Sequence, residues 1–306
     1  MRSALRATAI AAAALALPAC ASSPGVAARP STTPAPSTSA SAATPAGQPA
    51  GGTIAPDAAG AAARLAASPR HGEYAMIPVP GGGAADSVRA FVVYPERSTK
   101  APVVVVVHEI FGLSTWVRAV ADQLAADGFI AVAPDLLTGA APPDAPDSVN
   151  VRVIRTLDPA QVQRRVAAAG AYGMARPAAQ ARYGVVGFCW GGSTVWQHAV
   201  FAGQANAPGF GAGVVYYGGA PAPERVAVVR APLLGLFGEN DARVNATIPA
   251  ADSTLRANGR TYEVATFAGA GHGFLRQQAG QNGANGAAAQ QAWPRTVAWF
   301  RRYLGA

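Results

Sequence analysis

The 306-residue sequence holds two cysteines and four histidines, and only 13% of its residues are charged. Two cysteines cannot build a disulfide framework. They also stand in unlike surroundings: Cys20 ends an apolar N-terminal run, whereas Cys189 sits among glycines in "GFCWGG". Lysine is nearly absent, with Lys100 alone. There is no basic block and no basic stripe interleaved with aromatics, so the net charge of +8 does not signal nucleic-acid binding. Half of that charge lies before His71, on Arg2, Arg6, Arg29, Arg64 and Arg70 against Asp57. The early apolar stretch, "AIAAAALAL", is too short to span a bilayer. A second histidine is missing from "HEIFG", where Gly112 ends the stretch, so the paired imidazoles of a zinc-binding H-E-x-x-H are absent and no metal is expected.

The N-terminus reads as a targeting segment over residues 1–20. A cationic "MRSALR" precedes the apolar core, and "LPAC" closes it. A small residue before Cys20 resembles a bacterial lipoprotein box, which would make Cys20 a lipidated N-terminus and give the protein a membrane partner. The alternative is an ordinary secretory signal cleaved nearby. Either reading exports the mature chain, leaving Cys189 as a lone thiol in a compartment where cysteines usually pair. Residues 21–70 are rich in Ala, Pro, Ser, Thr and Gly, with few large apolar side chains, and are expected to form a disordered tether with a short helix at its end. Residues 277–291, "QQAGQNGANGAAAQQ", are a second low-complexity patch, expected to be a surface loop.

From His71 to Ala306 strands and helices alternate. Two early strands, "EYAMIPV" and "SVRAFVVYP", precede the apolar strand "PVVVVVHE". Helix "STWVRAVADQLAADG", strand "FIAVAPDL", helix "PAQVQRRVAAAGAYGMA" and strand "RYGVVGF" follow. Helix "WGGSTVWQHAVFAG", strands "GAGVVYYG" and "RAPLLGLFGEND", helix "ATIPAADSTLRANG", strand "RTYEVATF" and a C-terminal helix complete the domain. This alternation predicts an α/β class: a mostly parallel sheet with helices on both faces.

In such a sheet, reactive groups collect at the carboxyl ends of the strands. "G-F-C-W-G" at residues 187–191 has the form G-x-nucleophile-x-G, the tight strand-to-helix turn that holds a nucleophile above a sheet. A helix start would favour the thiolate of Cys189. "LFGENDARVN" then puts Asp241 at a strand end, and "FAGAGHGFLR" puts His272 in a glycine-rich loop after the last strand. The order Cys189, Asp241, His272 is that of the α/β-hydrolases. His272 could take and return the thiol proton while Asp241 holds its tautomer. His108 and His198 read as structural. Tyr216 and Tyr217 end a strand near the site; strand alternation should turn one of them away, and Tyr217 is a candidate pocket residue.

The stretches "HEIFGL" (His108 to Leu113), "APDL" (Ala133 to Leu136), "GFCWGG", "GENDARV" and "HGF" (His272 to Phe274) together resemble the dienelactone hydrolase family, in family order across the domain. The resemblance implies a cysteine hydrolase of the α/β-hydrolase fold that cleaves small-molecule esters or lactones without a cofactor. It implies that Glu109 lies beside the thiol and accepts its proton. It further implies that the backbone N–H groups of Ile110 and Trp190 form the oxyanion hole, and that Arg276 grips a substrate carboxylate. The family's other arginine, expected after "PDL", has no counterpart in "TGAAPPDAP". Two other readings stay open on sequence: a cell-surface binding lipoprotein that keeps the fold without turnover, and a thioester or carbon–carbon hydrolase on the same scaffold.

Overall fold

The computed structural model describes residues 54–305 apart from 82, 84 and 85. The targeting segment with Cys20, and the tether as far as residue 53, lie outside the described residues. In chain order the elements are α1 (Ala61–Ala66), β1 (Gly72–Pro78), β2 (Ser87–Val93), β3 (Ala101–Val107), α2 (Thr115–Ala126), β4 (Ile130–Pro134), α3 (Asp147–Val153) and α4 (Pro159–Met174). They continue with β5 (Ala179–Phe188), α5 (Trp190–Gly203), β6 (Phe210–Tyr216), α6 (Pro223–Val226), β7 (Leu233–Asn240), α7 (Ala242–Asn245), α8 (Ile248–Ala257), β8 (Tyr262–Gly271) and α9 (Ala284–Leu304).

The strands form one eight-stranded sheet in the order β1-β2-β4-β3-β5-β6-β7-β8. β1 and β2 pair antiparallel, as do β2 and β4; every pairing from β4 to β8 is parallel. The run of valines in β3 is buried along its whole length because both faces of the sheet are covered. Val104 and Val106 join the core under α2 and α9, while Val103, Val105 and Val107 join the core under α4, α5 and α8. Local signals set the helix starts. Ser114 Oγ accepts from Val117 N to cap α2, and Asp158 accepts from Ala160 N and Gln161 N to cap α4, with Pro159 in the first turn. Pro249 is tolerated in α8 for the same reason: first-turn N–H groups have no partner inside the helix.

Three expectations are corrected. First, residues 277–291 are not a surface loop. α9 begins at Ala284, and Ala288, Ala289, Ala292 and Trp293 are buried on one side of it. Alanine is the best helix former, and its small side chain lets α9 lie close to the sheet; composition alone concealed this. Second, the stretch between β4 and α4 contains α3, which the sequence reading missed. Third, residues 54–70 are not a free tether. Ala55 is fully buried, Trp116 Nε1 donates to Pro56 O at 2.9 Å, and Ala58 N donates to Arg276 O at 2.9 Å. Ser68, Arg64 and Arg70 converge on the buried carboxylate of Asp122, Arg70 Nη2 at 2.7 Å. A few well-placed contacts thus fix a strap that is poor in large apolar residues.

Asp122 should therefore hold the strap. Asp122→Ala is expected to cost about 2 kcal/mol, below the usual cost of breaking a buried ion pair because Arg70 keeps Glu96 as a partner at 3.6 Å. Limited trypsinolysis would read it, through faster cleavage after Arg64 and Arg70 in the variant. Equal cleavage rates would show that the strap is held elsewhere.

Candidate active site

β5 delivers Cys189 to the carboxyl edge of the sheet, and α5 begins at the next residue. Cys189 has φ 55 and ψ −114, a strained backbone for a residue with a side chain. Glycines make the turn possible. A Cβ on Gly187 would lie 2.1 Å from the carbonyl oxygen of Gly191, and one on Gly191 would lie 2.4 Å from that of Val107. Cys189 N donates to Tyr216 O at 3.1 Å, anchoring the elbow to β6. Trp190 N–H faces the thiol. Neither Ile110 N–H nor Trp190 N–H has a backbone acceptor among the described residues.

Asp241 follows β7 and His272 follows β8, adjacent strands whose ends come together. His272 Nδ1 and Asp241 Oδ2 are 2.6 Å apart, so the carboxylate fixes Nδ1 as the protonated nitrogen and leaves Nε2 free. The aspartate is buried, while a third of the His272 side chain remains exposed.

Glu109 is buried behind the elbow. Arg276 Nε lies 3.3 Å from Glu109 Oε2, and the Arg276 guanidinium sits 4.5 Å over the Phe111 ring. Burial pushes the Glu109 carboxyl up to about 7, with Arg276 opposing the shift. Burial and then the charge of Glu109 push the Cys189 thiol up to about 11; the Trp190 N–H and Arg243 pull it down less strongly. The expectation that a helix start would favour the thiolate is thus outweighed: the thiol is protonated at rest. No hydrogen bond joins Cys189 Sγ to His272 in this state among the described residues.

The structure brings Cys189, Glu109, Asp241 and the cation Arg243 into electrostatic reach of one another. Arg243 was passed over in the sequence; its place two residues after Asp241 was the available signal. Arg276 is occupied by Glu109 and keeps about a quarter of its side chain exposed. Tyr217 lies within electrostatic reach of Glu109, Cys189 and Arg276. It is fully buried beneath His272, with ring centroids 5.1 Å apart, and packs on Phe274. Its φ of 39 breaks strand alternation just past β6, so Tyr216 and Tyr217 join the same core. His108 is a buried structural residue: Nε2 accepts from Leu136 N and Nδ1 donates to Glu109 O, which shapes the "HEIFG" turn. His198 is buried between Tyr183 Oη and Gln163 Oε1, and burial lowers it to about 3. Among the described residues no group of three or more His, Cys, Asp or Glu side chains could hold a metal ion.

The sequence profile of the Dienelactone hydrolase family matches residues 88–304. A Methylorubrum extorquens protein, assigned by inference as a carboxymethylenebutenolidase, is 33% identical over 233 residues, covering 71% of this chain and 77% of its own. The human carboxymethylenebutenolidase homologue is 29% identical over 224 residues, covering 67% of this chain and 86% of its own. Among solved structures, a Klebsiella pneumoniae protein assigned by inference as a dienelactone hydrolase superposes with a TM-score of 0.65 at 26% identity, over 76% of this chain and 100% of that one.

The close approach at the elbow generates a test. Gly191→Ala forces a Cβ against the carbonyl oxygens of Val107 and His108 and should cost about 3 kcal/mol or more. In a domain of this size that corresponds to a fall in Tm of roughly 6–12 °C, measurable by circular dichroism. A variant that melts with the parent would show that the elbow can relax.

Proposed function

The chain belongs to the dienelactone hydrolase family, and from that premise we propose that this ester or lactone hydrolase works through Cys189, His272 and Asp241, with Glu109 taking the thiol proton. The observation that carries the reading is the buried Glu109 shared between a cation and the nucleophile. While Arg276 faces Glu109, the carboxyl is restrained and the thiol stays protonated. A substrate whose oxygen atoms draw Arg276 away removes the restraint, and burial then strengthens the carboxyl's hold on a proton. The thiolate forms only with substrate in place. It attacks the carbonyl carbon, and the Ile110 and Trp190 N–H groups receive the developing oxyanion. The proton that Glu109 took from the thiol passes to the leaving oxygen; His272, oriented by Asp241 with Nε2 unprotonated, then takes a proton from the water that cleaves the thioester and returns it to the departing sulfur. A thiol kept neutral between turnovers also suits the exported location implied by the N-terminus, where a lone thiolate would oxidise.

The basic test is hydrolysis of an activated short-chain aryl ester, abolished in Cys189→Ala. A sharper one separates the two effects of Glu109. Removing its charge should lower the pKa of the Cys189 thiol, so Glu109→Gln should be alkylated by iodoacetamide a few-fold faster than the parent at pH 7.5. Hydrolysis should fall by about a hundred-fold or more, because the proton acceptor is gone. Retained hydrolysis, or slower alkylation, would remove Glu109 from the mechanism. In the parent, kcat/KM should rise with pH through about 7 as Glu109 loses its proton.

For export we propose lipidation of Cys20. Metabolic labelling with a fatty-acid analogue should mark the mature chain at Cys20. An unlabelled chain whose N-terminus lies elsewhere would make the protein secreted and unanchored.

A further inference from the structure

Beside the nucleophile's helix lies a groove that none of these roles uses. It encloses about 510 Å³, and Trp190, Ser193, Thr194 and Gln197 line it along one face of α5. That volume is within the range of small-ligand sites. The four residues follow the i, i+3, i+4, i+7 spacing of a helix face, so the groove runs roughly 10 Å away from the residue that adjoins Cys189. Its opposite wall is apolar, from Ile154, Leu157, Pro159 and Val162. Its charged residues are Arg155 and Arg225, one from the turn after α3 and one from α6. No carboxylate lines it. The acids nearest in sequence are Glu224, which has no ion pair with Arg225, and Asp158, which caps α4 and pairs with Arg164.

Most guanidiniums in the domain have evident work. Arg70 and Arg165 pair with Asp122 and Asp86, Arg276 with Glu109, and Arg182 and Arg230 bond carbonyls at the ends of α9 and α5. Arg155 and Arg225 have no ion pair, side-chain hydrogen bond or ring contact among the described residues. The N-termini of α4 and α5, helices of 16 and 14 residues, also border the groove and add positive potential.

We infer that this groove is a specificity subsite for a substrate arm that is apolar along its length and ends in a carboxylate, with Arg155 and Arg225 gripping that terminal anion. The inference rests on the hydrolase reading and deepens it. The apolar wall buries the methylene or aryl body, and planar guanidiniums offer bidentate geometry to a carboxylate. Arg276 and Glu109 do not line the groove, so the two cationic positions would read different parts of a substrate.

The test compares the mono-4-nitrophenyl ester of suberic acid with its ω-methyl ester. The parent should prefer the free carboxylate by about ten- to a hundred-fold in kcat/KM. The preference should fall to near one in Arg155→Ala/Arg225→Ala and be partly restored by lysine at both positions. A preference that survives the double substitution, or that disappears in Arg276→Ala alone, overturns the inference. A second measurement is independent of turnover: calorimetric binding of monomethyl suberate to Cys189→Ala, with and without the two arginine substitutions. At least ten-fold weakening on loss of the arginines supports the groove even if the parent hydrolyses no ester, in which case only the hydrolase mechanism falls. Equal binding in both, alongside active ester hydrolysis, removes the groove and leaves the mechanism standing.

Discussion

The crossing of β5 into α5 leaves no room for a side chain two residues to either side of Cys189, at Gly187 and Gly191. Gly191 passes within contact of the end of β3, and Gly187 passes under Gly191 itself. Much else in the site follows from this contact. It holds Cys189 in a backbone conformation that an ordinary residue avoids and aims the Trp190 N–H at the sulfur. It also brings the start of α5 against the end of β3, where the chain turns into "HEIFG" and sets Glu109 beside the thiol. The internal hydrogen bonds of His108 lock that turn from below.

Within this geometry the electrostatics work against the Cys189 thiolate. A buried carboxyl and a half-buried thiol compete for the right to ionise, and one arginine favours the carboxyl. An enzyme arranged this way keeps little thiolate without substrate. In the proposed mechanism the cost is a thiol that must be switched on at each turnover, and the benefit is inertness between turnovers.

The sequence displayed the sheet and the elbow because both depend on local signals: valine runs, caps and glycines at fixed offsets. Asp241 and His272 were singled out by their order and their places at strand ends, and the structure holds them 2.6 Å apart. What escaped depends on long-range packing. Tyr217 changes side through one positive φ past the strand end. The alanines of α9 look like low complexity until the sheet that they cover is present. The free state of Arg155 and Arg225 cannot be seen without knowing which acids fail to reach them.

The strap also bears on where the folded unit starts. Sequence composition suggests His71, the first residue before β1. Yet Ala55 is fully buried, Pro56 receives the Trp116 indole, and the Gln278 amide donates to Ala55 O at 2.9 Å. A recombinant form begun at His71 would leave Trp116 and Gln278 without these partners and remove the hydrogen bond that Ala58 donates to Arg276 O. The shortest faithful version of this enzyme begins ahead of Ile54, since the residues that look like spacer include the first ones the loop after β8 rests on.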